Sequence, residues 1–156
     1  MLEGLMALCA LPGISGHEGP VRAYLKEALS PLGLEVFTDP MGNLYAHRPG
    51  PGPRVMVAAH MDEVGMVVRG HREDGTLAYA AAGIDCRVMP GKRVWVGLGS
   101  HALPGVIGCK AIHLQTDEEF KTRIPHEALY LDIGAGSREE AMAKAPVGAP
   151  VWFQSA

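Results

Sequence analysis

The chain has little with which to build a disulfide framework: its three cysteines, Cys9, Cys86 and Cys109, are an odd number without CxxC spacing. That pattern suits buried thiols in a reducing cytoplasm better than a cross-linked secreted fold. No stretch approaches the roughly 18 apolar residues a membrane span needs. The apolar run at residues 5–11 follows Glu3 instead of the basic region of a signal peptide. A cytoplasmic protein without a membrane partner is expected. Lysine and arginine form no cluster, and the formal net charge is -3, so nucleic acid is not an expected partner either. HExxH, GxSxG, a Walker loop and a GxGxxG turn between strand and helix are all missing. Serine hydrolase, kinase and dinucleotide-binding readings therefore have no support.

What is present is a chain of 156 residues, 47% apolar, with 20 glycines and 12 prolines scattered along it. Its length allows one domain or two small ones, and a core can form without staples because about two thirds of the unfolded surface is buried at this size. Leu2, Leu5, Met6 and Cys9 have helical spacing. Ser15 and Glu18 have capping-box spacing ahead of the stripe Val21, Tyr24, Leu25, Leu29 and Leu32, which predicts a second helix ending at Gly33. Residues 34–38 and 43–47 read as a hairpin around the turn at 39–42. The short apolar run 54–59 predicts a strand buried on both faces in an α/β sheet, with His60 delivered at its C-terminal end.

Beyond Gly65 the pattern changes to short strands at 66–69, 76–81, 93–97, 105–108 and 129–133. Helices marked by Thr116 with Glu119 and by Ser137 with Glu140 interrupt them. Such spacing predicts a small barrel or sandwich. No internal repeat and no long linker separates the two parts.

The most informative stretch is 59–65, AHMDEVG. His60 and Asp62, two residues apart, point the same way if the extended conformation persists. A neutral imidazole can hold a borderline ion such as zinc or cobalt through one nitrogen while a carboxylate fixes the other. Taken alone HxD is weak, since a histidine beside an aspartate after a strand is commonly a capped or solvated pair. His17, His47, His71, His101 and His126 fall in or beside predicted turns and read as solvated. His113 is the one other histidine that could face a cleft, with a hydrogen-bonded structural role as its ordinary alternative.

Several segments stand in order along the chain: LPGISG at 11–16 with Glu18, Val21 and Arg22, DPMGN at 39–43, AHMDEVG at 59–65, GID at 83–85, GVIG at 105–108 with His113, and LDIGA at 131–135 with SREEA at 137–141. Together they resemble one family, the dinuclear metallo-aminopeptidases of the tetrahedral (TET) type, which includes proteins called glutamyl aminopeptidases and cellulase-M-like endoglucanases. The resemblance implies an α/β chain: part of a phosphorylase/hydrolase-like catalytic domain at 1–65, an inserted small β-barrel-like assembly domain at 66–150, and the start of a return strand at 151–156. It implies that His60 is a ligand of one of two divalent metal ions, zinc or cobalt, in each complete subunit. Asp62 matches the catalytic aspartate that orients this histidine and tunes the water-activating centre.

The implied activity is release of amino-terminal residues from peptides, with homo-oligomers formed through the inserted domain. The resemblance also implies that the bridging aspartate, the glutamate pair, the later aspartate and the final histidine lie in a carboxy-terminal half beyond Ala156. The chain alone is then expected to carry little or no metal, to be inactive, and to expose the sheet surface which that half would cover. A non-catalytic assembly or peptide-binding module is the alternative. An endoglucanase-type glycoside hydrolase is a further one, disfavoured because no carboxylate pair flanks a sugar cleft.

Overall fold

The computed structural model describes residues 2–81 and 83–154 and divides into two compact units, Met1–Asp62 and Glu63–Ala156. The first unit opens with α1 (Leu2–Cys9) and α2 (Gly19–Leu29). A 3-10 turn at Ser30–Leu32 extends α2 to Gly33, whose φ of 66° ends it in the left-handed conformation. Strands β1 (Glu35–Thr38) and β2 (Leu44–His47) form the expected antiparallel hairpin, with Glu35 opposite His47 and Thr38 opposite Leu44. Asp39 holds its turn by accepting from the Asn43 backbone N–H and side-chain amide, each at 2.9 Å. Arg22 on α2 donates to the Gly42 carbonyl at 2.6 Å, tying helix to hairpin.

Two expectations for this unit fail. Ser15 does not cap α2: Glu18 occupies the N-cap without a side-chain cap bond, and its Oε1 accepts from the Gly16 N–H at 2.7 Å. The run 54–59 forms no strand, and Val55, Met56 and Val57 are 83%, 87% and 93% exposed. A buried parallel strand needs ladder partners and apolar cover on both faces, and the sheet of this unit consists of β1 and β2.

The second unit is a closed antiparallel barrel of order β3-β4-β7-β6-β5-β8. The strands are β3 (Met66–His71), β4 (Leu77–Ala81), β5 (Arg93–Val96), β6 (Leu103–Gly108), β7 (Tyr130–Asp132) and β8 (Pro150–Phe153). Alternation sends Met66, Val68, Leu77, Val94, Val96, Ile107, Leu131 and Val151 inward, all at most 2% exposed. Closure leaves no open sheet edge. Trp95 and Trp152, opposite each other in the β5–β8 ladder, stack at 6.1 Å.

Helices α3 (Asp117–Lys121) and α4 (Arg138–Lys144) both start where expected. Thr116 and Glu119 make a complete capping box. Ser137 accepts from the Glu140 N–H, whereas the Glu140 carboxylate accepts from Gly136 and Lys144 instead of returning to Ser137. Residues 151–153, read from sequence as the start of a return strand, belong to β8. That strand pairs with both β3 and β5 and so closes the barrel.

The cysteines differ from expectation at one place, since Cys86 is buried and Cys109 half-buried but Cys9 is exposed. Two histidines read as solvated are instead half-buried and bonded. His71 Nε2 lies 2.7 Å from the Ala145 carbonyl at the end of α4, and His126 Nε2 lies 3.1 Å from the Ile84 carbonyl. His113 sits exposed in a 3-10 turn. None of the described helices is long and apolar enough to cross a membrane.

Candidate functional site

His60 and Asp62 lie at the end of the first unit, on the irregular segment that follows the loop at 48–53. They share an open cleft of about 1020 Å³ with Arg22, Phe37, Tyr45 and Met56. The backbone there is brought against the loop 11–16, where Gly13 is buried: a Cβ on Gly13 would come 3.5 Å from the Met61 carbonyl and 2.8 Å from Val21 Cγ2. A residue without a side chain is therefore what allows that loop to lie between α2 and residue 61.

The two residues singled out by spacing do meet. His60 Nδ1 is 2.8 Å from the Asp62 carbonyl and 3.2 Å from Asp62 Oδ1. Both of those atoms are acceptors, so Nδ1 carries the proton and donates. Whenever the ring is neutral its lone pair then lies on Nε2, and the His60 side chain is 84% exposed. An exposed imidazole whose Nδ1 is held by a neighbouring carbonyl and carboxylate is able to offer Nε2 to an ion.

Asp62 is held from the far side by Ser15, whose hydroxyl donates to Oδ2 at 2.5 Å. The Ser15 hydrogen bond is the main reason that the Asp62 carboxyl lies below the usual carboxylate range, and the hydrogen bond from His60 acts in the same direction. Sequence reasoning missed this partner by assigning Ser15 to a helix cap. The SxxE spacing that suggested a capping box is real, but Ser15 turns to the segment 47 residues away.

The donor set for an ion is partial. Among the described residues no group of three or more histidine, cysteine, aspartate or glutamate side chains could hold a metal, whereas zinc sites in proteins use three or four protein ligands. His60 fits such a group as one donor, and tight binding requires further donors from another segment or another chain.

A family model described as M42 glutamyl aminopeptidase matches residues 42–156. The lysyl aminopeptidase of Pyrococcus furiosus is 33% identical over 133 residues, covering 83% of this chain and 38% of that protein. Among solved structures, a TET aminopeptidase from a marine sediment archaeon of the Thaumarchaeota superposes with a TM-score of 0.89 at 32% identity. It covers 99% of this chain and 44% of that one. The TET1 peptidase of Pyrococcus horikoshii, described as able to assemble into a tetrahedron or a large octahedral shell, has a TM-score of 0.85 at 32% identity and covers 98% of this chain and 46% of its own. A Thermotoga maritima protein named an endoglucanase also matches, with a TM-score of 0.78 at 36% identity over 97% of this chain and 44% of that one. The chain thus spans less than half the length of these relatives.

Proposed function

Because the chain belongs to the M42 glutamyl aminopeptidase family, we propose that it supplies the first metal ligand of a metal-dependent aminopeptidase that removes amino-terminal residues from peptides. The observation that carries this reading is the placement of His60, with Nδ1 2.8 Å from the Asp62 carbonyl and 3.2 Å from Asp62 Oδ1 on an otherwise exposed ring, which leaves Nε2 for an ion. His60 would hold one of two divalent ions, zinc or cobalt, and Asp62 would keep the ring oriented and its proton on Nδ1. When held by a full ligand set, such ions supply Lewis acidity to the scissile carbonyl and make the attacking water acidic enough to ionise near neutral pH.

In this proposal the first unit is the amino-terminal part of a phosphorylase/hydrolase-like α/β catalytic domain, and the barrel is the inserted domain through which copies assemble. Support for assembly comes from the similar Pyrococcus horikoshii peptidase, which can assemble into a tetrahedron or a large octahedral shell. The proposed setting is the cytoplasm. A glycosidase would need two carboxylates facing each other across a sugar bond. Asp62 is committed to Ser15 and His60 instead, which favours the peptidase over the endoglucanase reading.

The test is hydrolysis of aminoacyl-anilides by the product of the whole reading frame, with and without added zinc or cobalt. Metal-dependent turnover that His60→Ala abolishes supports the proposal. Turnover that persists without metal, or that survives His60→Ala, overturns it.

A further inference from the structure

Resting on the reading of His60 as a ligand, we infer that Ser15 is a positioning residue for that ligand: its hydroxyl holds Asp62 so that the carboxylate faces His60 Nδ1 and Nε2 is presented to the ion. Three observations combine. Ser15 Oγ donates to Asp62 Oδ2 at 2.5 Å while Oδ1 of the same carboxylate lies 3.2 Å from His60 Nδ1, so one carboxylate joins the two side chains. The segment 54–62 contains no strand, so the Ser15 hydroxyl gives it a side-chain anchor beside the bridge residues Ile14 and Glu63 that flank the pair. The loop that carries Ser15 is itself braced: Glu18 Oε1 accepts from the Gly16 N–H at 2.7 Å, and the His17 N–H donates to the Ile14 carbonyl at 2.8 Å.

The chain of contacts has a direction. Glu18 fixes the turn at Gly16, the turn fixes the Ser15 hydroxyl, and the hydroxyl selects one Asp62 rotamer. That rotamer adds a second acceptor beside the Asp62 carbonyl at His60 Nδ1. Without Ser15 the carboxylate is free to rotate into solvent, the acceptor pair at Nδ1 loosens, and the ring samples its other tautomer, in which Nε2 carries the proton and cannot bind an ion. Ser15 touches neither substrate nor ion in this scheme and acts entirely through Asp62. Supporting partners of this kind commonly change metal affinity by about 10–100-fold in metalloenzymes.

The test reads the tautomer directly on the metal-free 156-residue chain by 15N chemical shifts of the His60 ring, held at a pH where the ring is neutral. The wild type is expected to populate mainly the Nδ1–H form. Ser15→Ala is expected to lower the ratio of Nδ1–H to Nε2–H by roughly 3- to 10-fold, the size of one lost hydrogen bond, and Ser15→Thr, which keeps the hydroxyl, to restore it. Unchanged backbone amide spectra of α2 and the hairpin establish that the fold of the unit is intact. Ring shifts in Ser15→Ala equal to wild type, or in Ser15→Thr equal to Ser15→Ala, overturn the inference. A parallel titration with cobalt(II) of the product of the whole reading frame, which supplies the further donors, separates this from the underlying reading. Broadening of the His60 resonances supports the ligand role, whereas unbroadened resonances overturn that role whatever Ser15 does to the tautomer.

Discussion

Gly75 offers the sharpest test of how the barrel is built. It is buried in the turn between β3 and β4, with φ of +83°, and its N–H donates to the Arg72 carbonyl at 3.1 Å. A Cβ placed there would come 2.2 Å from the Ala135 carbonyl oxygen and 3.0 Å from the Ser137 nitrogen. Those are backbone atoms of the segment leading into α4, so no side-chain rotation relieves the overlap. Gly91 provides the control, since its φ is +79° but nothing lies within 4 Å of an added Cβ. Gly91→Ala thus isolates the cost of a left-handed alanine, about 1–2 kcal/mol. Gly75→Ala carries the same conformational cost together with overpacking of roughly 1–3 kcal/mol, for an expected destabilisation of about 2–5 kcal/mol. Urea unfolding followed by the fluorescence of the stacked Trp95 and Trp152 reports the barrel. Equal losses in the two variants would refute the argument, because they would mean that the loop before α4 yields freely.

Asp85 accepts from the Arg87 side chain, the largest cause of a carboxyl held well below its usual range, with Arg123 adding to it. A depressed folded value means stability that is fully present above the ordinary pKa of 3.8 and lost as pH falls through the folded value. The stability difference between wild type and Asp85→Asn should therefore be flat from pH 7 to about pH 5 and shrink below pH 4, as read by denaturant unfolding. The isolated chain should bind zinc or cobalt weakly and release no aniline from aminoacyl-anilides with either ion added, since His60 is a single donor. Stoichiometric metal by elemental analysis together with turnover would contradict this. Val55, Met56 and Val57 are nearly fully exposed, and an uncovered apolar segment is sticky. Sedimentation velocity should show concentration-dependent self-association of the isolated chain that Val57→Lys reduces, and identical profiles would rule out this segment as the cause.

The barrel was legible because several of its strands alternate. Met66 and Val68, Leu77 and Tyr79, and Val94 and Val96 each leave one residue between two buried ones, and period two has no other efficient packing. The hairpin was legible from the turn chemistry of Asp39 and Asn43, whose side chains close it. Less legible were contacts that a local pattern mimics. Ser15 and Glu18 have the spacing of a capping box, but their hydrogen bonds go to Asp62 and Gly16. Residues 54–59 have the composition of a buried strand and remain uncovered, because composition records what a segment could bury and not whether a partner is there to bury it.

The sequence by itself determined the periods of the helices and barrel strands and the pairing of His60 with Asp62, since each depends on residues close together in the chain. Tertiary structure alone decided that Ser15, 47 positions away, holds that aspartate. It also decided that residues 151–153 close the barrel between β3 and β5. Both are contacts between distant segments, and nothing in local spacing encodes which of several competent partners a hydroxyl or a strand edge will meet.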